Sequence, residues 1–288
     1  GGSSMDTAKA ISVLLDNPGT ISDYYARNAS EFSSRIPLIL LPTSSGTGSE
    51  VTGLCVIHDT ASHAKIPVYR SANLAIVDPM LTVSAPPAVT AASAFDAMSH
   101  ALEAYTSKYH TEKVDTLALQ AIQLIAKNIL IAYVDGNNIT ARENLAFASN
   151  IAGIAFNEVS VHIGHAIAHE FGLQFHLSHG VACALTLTTV LHDIFSIDSN
   201  RGIAVAQLFG YDPSTHAQQP EEYLQDKIHN LLRDTGIQSL NARGITLEQA
   251  LGCATGAINN NGFLDASPVP VTQEHMENAI RFLYESYC

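Results

Sequence analysis

The chain has 288 residues, 47% of them apolar, and a formal net charge of −13, which marks a packed globular protein with room for one large domain or two ordinary ones. Such an acidic balance excludes an extended phosphate-binding face, and with it nucleic-acid binding and docking on anionic lipid. No uninterrupted apolar run approaches the roughly 20 residues of a membrane span, and four scattered cysteines at 55, 183, 253 and 288 fit reduced thiols in a cytoplasmic setting.

The opening GGSSMDTAKA has neither the basic nor the apolar region of a signal peptide. Gly-Gly-Ser-Ser ahead of a helical pattern is typical of the turn after a strand, so the sequence is expected to enter its fold part-way through. Helical spacing runs from Ser4 to Leu15, with Ser3 or Ser4 as its cap. The run IPLILL at 36–41 suits a short buried parallel strand, Pro37 falling at its start where a missing N–H is tolerated. It leads into TSSGTGS at 43–49, and β-branched runs come next at 51–57 and 74–77. The first third reads as α/β.

Beyond Pro86-Pro87 the pattern becomes helical throughout: 88–106, 114–134, 139–156, 162–173 and 180–195, then 201–209, 221–234, 246–259 and 272–286. Thr272-Gln273-Glu274 gives the last of these a well-formed start. The double proline is the expected boundary between a region 1–87 and a region 88–288.

Two residue groups carry chemistry. Asp96 and His100 lie four apart on a mostly apolar helix, so carboxylate and imidazole share a face. A hydrogen-bonded Asp–His pair is the plain alternative, but a cation satisfies both buried groups at once. Five histidines come later, at 162, 165, 169, 176 and 179. His165 and His169 again stand at i, i+4, and His179 sits where a loop gives way to a helix, aimed back at that face. Spacing offers Asp96, His100, either His165 or His169, and His179. Such a set suits Fe(II), Zn(II), Co(II) or Mn(II), since nitrogen donors select against magnesium and calcium. With no thiolate among these candidates, a catalytic site is favoured over a structural one. His162 and His176 are expected to be surplus wall or surface residues. Phe156 and Phe175 are expected to wall a small, mostly apolar cleft. Gly1-Gly2-Ser3-Ser4 at a helix start and the loop after strand 36–41 both offer N–H groups to an anion. Neither is a GxGxxG or Walker loop, so spacing names no nucleotide.

Four stretches together resemble the group III, iron-dependent alcohol dehydrogenase family: GGSSMDTAKA at 1–10, LPTSSGTGSEVT at 41–52, VDPMLTVSAPPAVTAASAFDAMSHALEAY at 77–105, and HIGHAIAHEFGLQFHLSHGVACAL at 162–185. The resemblance implies an α/β plus all-α fold of the dehydroquinate synthase-like type. In it a partial Rossmann-like nucleotide-binding domain precedes an all-helical metal-binding domain. It implies one divalent metal, Fe(II) or else Zn(II), held by Asp96, His100, His165 and His179, with His169 beside the metal to help move a proton. Gly2, Ser3 and Asp6 would line the cofactor's pyrophosphate. Thr43, Ser44 and Thr47 would lie along its phosphate and ribose, with Lys65 and Leu81 nearby. The implied reaction passes a hydride between a small alcohol or aldehyde and NAD or NADP, with the metal as Lewis acid. A homodimer or larger homo-oligomer is the family habit. So is a further stretch of roughly a hundred residues ahead of the Gly-Gly-Ser motif, within the size of ordinary domains. Two alternatives share these residues: a metal- and NAD-dependent lyase of the dehydroquinate synthase type, and a metal-binding homologue without activity.

Overall fold

The computed structural model describes residues 1–59, 64–259 and 262–288. Helix α1 (Gly2–Asp16) buries Met5, Lys9, Ala10, Ser12 and Val13 along one stripe. No side chain caps it, so Ser3 and Ser4 lie inside its first turn and do not act as the expected caps. Lys9 is fully enclosed, and its ammonium donates to Thr52 O, Thr52 Oγ1 and Leu54 O at 3.0, 3.2 and 2.7 Å. Three acceptors satisfy the three N–H donors, which ties α1 to the next strand. Burial pulls the Lys9 pKa down against the opposing field of Asp6.

Four short strands come next. β1 (Ile39–Leu40) pairs in parallel with β4 (Leu74–Ala75), while β2 (Leu54–Asp59) and β3 (Ala64–Tyr69) form an antiparallel hairpin. The strand expected over 36–41 shrinks to two residues because side chains intercept the rest of its ladder. Ile36 N donates to Asp16 Oδ2, Leu38 N donates to Asn73 Oδ1, and Ile36 O accepts from Arg70 Nη2. β3 lacks a sequence signal because Pro67 interrupts its run. In a two-stranded sheet both strands are edges, where a missing N–H can face away from the ladder.

The helical region begins with α2 (Pro87–Thr106), opened by proline in its first turn. Its alanines at 91, 94, 97, 101 and 104 are buried, and such small side chains let neighbouring helices approach closely. α2 packs against α3 (Glu112–Val134), α4 (Ile139–Val159) and α6 (His179–Ile197), and α5 (Ile163–Phe175) lies along α6. α7 (Ser199–Leu208), α8 (Pro220–Asp234), α9 (Leu247–Leu251), α10 (Ala254–Asn259) and α11 (Gln273–Ser286) complete the bundle. The single helix expected over 246–259 is two, separated at Gly252 and Cys253, since glycine is a poor interior helix former. Thr272 caps α11 by accepting from His275 N, as the sequence suggests. No strand lies beyond Ala75 among the described residues.

Although neither is an uninterrupted apolar run, α3 and α6 are long and apolar enough, by length and mean composition, to cross a membrane. Both are bundle helices here: α6 buries twelve of its residues, and α3 buries one face, leaving Ile131 and Val134 exposed.

The 43–49 loop joins the two regions. Gly48 adopts φ +60°, and a Cβ there would sit 2.6 Å from Gly153 Cα of α4. We expect Gly48→Ala to lose about 2–4 kcal/mol, from left-handed strain and from overpacking against backbone. Thermal or urea unfolding checks this, and a variant as stable as the parent would refute the close packing.

Candidate metal centre

Asp96, His100 and Glu103 stand at i, i+4 and i+7 on α2, one polar stripe on an otherwise alanine-rich helix. Asp96 is only 3% exposed. Three imidazole nitrogens surround its Oδ1: His179 Nε2 at 3.3 Å, His165 Nε2 at 3.9 Å and His100 Nε2 at 3.9 Å. His165 and His100 stand beyond hydrogen-bonding distance and no bond from His179 forms, so a buried carboxylate oxygen stands without one. Burial acts to raise the Asp96 pKa, but the imidazoles of His100, His179 and His165 outweigh it and hold the carboxyl well below the usual carboxylate range. Burial pushes His100 the other way, below its ordinary value despite the attraction of Asp96. A carboxylate oxygen facing three ring nitrogens is a donor set suited to a divalent cation.

The outer ring nitrogens fix which atoms face inward. His100 Nδ1 donates to Gly46 O at 3.3 Å, and its ring stacks between those of Phe156 and His165, with centroids 4.2 and 4.6 Å away. His165 Nδ1 donates to Glu103 Oε1 at 2.5 Å. Glu103 is fully buried and also accepts from the backbone N–H groups of His162 and His165 and from Ser99 Oγ. Burial acts to raise its pKa, but the charge and hydrogen bond of His165, then the charge and backbone N–H of His162, outweigh it and hold the pKa below the ordinary carboxylate range. A carboxylate behind an imidazole locks tautomer and orientation and strengthens the inward nitrogen as a ligand. His179 opens α6, and Gly180 lets that turn press on α2, since a Cβ there would meet Ala92 O at 2.1 Å.

Cys183, one turn after His179, has the apolar sequence surroundings of an ordinary buried thiol. Its Sγ nevertheless lies 3.7 Å from His179 Nε2 and 3.8 Å from His165 Nε2. Donor atoms of Asp96, His165, His179 and Cys183 all fall within 4.8 Å of one another; His100 is not one of these four. Glu103 too escapes the sequence reading, although its place on the stripe of Asp96 and His100 is a usable signal.

His169 is half-buried, with its ring 6.3 Å from that of His165, 5.3 Å from His179 and 5.3 Å from Phe263. His162 is neither wall nor surface. It is wholly buried, with its Nε2 2.7 Å from Thr106 Oγ1, because the backbone of 162 is drawn in to Glu103. His176 is exposed, in the left-handed conformation that ends α5. Phe156 stacks on His100 at the site, and Phe175 is partly buried with its ring 5.5 Å from that of Phe171.

The residues expected along a cofactor gather at the start of α1. Gly1 N lies 3.3 Å from Thr43 Oγ1, Gly2 abuts Thr47, and Ser44 and Thr47 are half-buried beside them. Ser3 is exposed in the same first turn. Asp6 is already engaged, accepting from Ser49 Oγ at 2.6 Å and from Val56 N at 3.1 Å. Leu81 is exposed in the short turn Pro79–Thr82. The side chain of Lys65 lies outside the described residues. Two shallow depressions share Ser44, Ser45 and Thr82, one reaching Glu50 and Asp78, the other Ser93 and Arg142. Neither contains the metal donors.

A helical bundle with a buried carboxylate–imidazole cluster, set against a small α/β region, has the donor set of a metalloprotein. Comparison with known proteins sharpens this. Residues 1–79 match the model of iron-containing alcohol dehydrogenases, and residues 90–284 match the model of the carboxyl-terminal part of the Fe-containing alcohol dehydrogenase family. Long-chain-alcohol dehydrogenase 1 of Geobacillus thermodenitrificans (strain NG80-2) is 36% identical over 99% of this chain and 73% of its own length. The NAD-dependent methanol dehydrogenase of Bacillus methanolicus is 39% identical over 74% of this chain and 57% of its own. The crystal structure of a 1,3-propanediol oxidoreductase superposes with a TM-score of 0.91 at 31% identity, covering 99% of this chain and 75% of that one. The chain belongs to the iron-containing alcohol dehydrogenase family.

Glu103→Gln keeps the volume but removes the charge behind His165. We expect zinc affinity of the chelator-stripped protein to fall about 10- to 100-fold, as read by competition with a chromophoric chelator. Unchanged affinity would leave Glu103 a purely structural residue.

Proposed function

We propose that the chain is a metal-dependent alcohol dehydrogenase or aldehyde reductase that exchanges a hydride between a small alcohol and NAD(P). The observation that carries this is the buried Asp96 Oδ1, which has no hydrogen bond and faces three imidazole nitrogens. Asp96, His100, His165 and His179 hold the metal, Fe(II) or Zn(II). Iron is supported by the family description and NAD by the name of the methanol dehydrogenase relative. When bound, such a metal polarises a substrate oxygen as a Lewis acid, and the nicotinamide supplies the hydride chemistry.

The chain's own side chains do the rest. Gly46 O and Glu103 hold His100 and His165 with their Nε2 atoms turned inward. His169 stands one helical turn beyond His165, where an imidazole can carry a proton between the substrate oxygen and solvent near neutral pH. The first turn of α1, with Gly2 and Ser3, offers N–H groups to the pyrophosphate, and Asp6 braces that turn against Ser49. Thr43, Ser44 and Thr47 line the nicotinamide side, with Lys65 and Leu81 nearby. The boundary between nucleotide and metal regions falls at Pro86-Pro87. A cytoplasmic homodimer or larger homo-oligomer completes the proposal, supported by the family resemblance and by four cysteines outside any disulfide.

Purified protein is expected to carry iron or zinc by elemental analysis and to oxidise propanol with NAD. His165→Ala should abolish metal retention, whereas His169→Ala should keep the metal and lower turnover by about 10²–10⁴-fold, the usual contribution of a proton-transfer residue. Equal metal loss in both variants would overturn these roles.

A further inference from the structure

Glu103 backs His165, and a second histidine stands behind Glu103. His162 is wholly buried at the start of α5, where its backbone N–H and that of His165 both donate to the Glu103 carboxylate. The two oxygens of that carboxylate are served unequally. Oε1 accepts from His165 Nδ1, His165 N and Ser99 Oγ at 2.5, 3.1 and 3.2 Å. Oε2 accepts from His162 N at 2.5 Å and from His165 N only at 3.4 Å. A further polar atom stands 3.7 Å from Oε2: His162 Nδ1, buried and without a hydrogen bond. The other nitrogen of that ring, Nε2, lies 2.7 Å from Thr106 Oγ1.

Burial holds His162 below its ordinary pKa, so near neutral pH the ring carries a single proton. Its neighbours decide which nitrogen holds it. A proton on Nε2 would leave the bare lone pair of Nδ1 beside an ionised carboxylate in a dry site, two acceptors with no donor between them. A proton on Nδ1 places a positive N–H beside the carboxylate instead, and Nε2 then accepts from the Thr106 hydroxyl. That hydroxyl gives up only Leu102 O at 2.9 Å, a helix carbonyl that the backbone ladder already serves. The second arrangement satisfies more groups.

We propose that His162 is a positioning residue of the metal centre: as the Nδ1–H tautomer, set by Thr106, it braces the Glu103 carboxylate and through it the orientation and donor strength of His165. This deepens the metal reading above and rests on it. The chain of contacts starts on α2 at Thr106, crosses to α5 at His162, returns to α2 at Glu103 and ends on the metal-facing ring of His165.

Zinc binding and imidazole nitrogen NMR test this without any turnover. In the zinc-loaded parent the His162 resonances, identified by their loss in His162→Asn, should show Nδ1 protonated and Nε2 bare. His162→Asn keeps an N–H close to the place of Nδ1 and should retain the parental zinc affinity, read by competition with a chromophoric chelator. His162→Leu fills the space without a donor and should weaken zinc about tenfold, the low end of what outer partners of a metal ligand contribute. If filling space were the whole role, leucine would serve as well as asparagine. In a Glu103→Gln background His162→Leu should change the affinity little, because both residues act along one path. The opposite tautomer in the parent, a reading that does not need the Leu variant to fold, would overturn the proposal. So would a Leu variant that binds zinc as tightly as the Asn variant, or a Leu effect undiminished beside Glu103→Gln; each of these leaves the metal centre standing. No zinc uptake by the parent chain would overturn both.

Discussion

An ionised carboxylate held inside an alanine-rich helix bundle is the constraint around which the centre is arranged. Moving such a group out of water costs several kcal/mol even after relaxation, and Asp96 is 3% exposed with one oxygen that no hydrogen bond reaches. Three imidazoles keep it charged. A proton on one of them is a poor substitute for a cation, because burial itself holds His100 well below its ordinary pKa. A divalent ion is a source of positive charge that does not depend on protonating a buried imidazole. Small residues on α2 and the missing side chain at Gly180 serve this constraint, since α5 and α6 must come close enough for His165 and His179 to reach one oxygen.

The loop 43–49 ties this centre to the amino-terminal region. Residues 43–49 give the Gly46 carbonyl to His100, abut α1 through Thr47 and Gly2, bond Asp6 through Ser49, and press Gly48 onto α4. The backbone that orients a metal-facing imidazole is therefore continuous with the backbone expected to meet a nucleotide. For hydride exchange that continuity matters. The reacting carbon must lie near both the metal and the nicotinamide, and a loop in contact with both would limit the misplacement that erodes rate.

Much of this is legible in the residues, for reasons that differ by position. Asp96 and His100 announce themselves because the helical repeat alone puts them on one face. His165 and His169 satisfy the same repeat equally, and spacing cannot separate them. The distinction lies in Glu103, from another helix, which holds only the first. Cys183 repeats the i, i+4 relation to His179 but carries the surroundings of a small hydrophobe. The Gly46 carbonyl is backbone and has no side-chain signature. In the α/β region, β3 is hidden by Pro67. The strand over 36–41 is shorter than its apolar run because Asp16, Asn73 and Arg70, all distant in sequence, occupy its hydrogen-bonding groups.

The supports behind the two anchored imidazoles are unequal. His100 leans on a neutral carbonyl at 3.3 Å, whereas His165 leans on a buried carboxylate at 2.5 Å that takes three further N–H or O–H bonds. A charged acceptor polarises an imidazole N–H more than a neutral one and makes the opposite nitrogen the stronger ligand. Donor strength is thus graded across the centre, strongest at His165, which is also the ring flanked by Asp96, His100 and Cys183. The most firmly fixed donor belongs to α5 and the most exposed, His179, to the mouth of α6. An ion bound there would be held hardest at its inner, buried side, and the half-exposed rings of His179 and His169, 5.3 Å apart, would stand at its outer side.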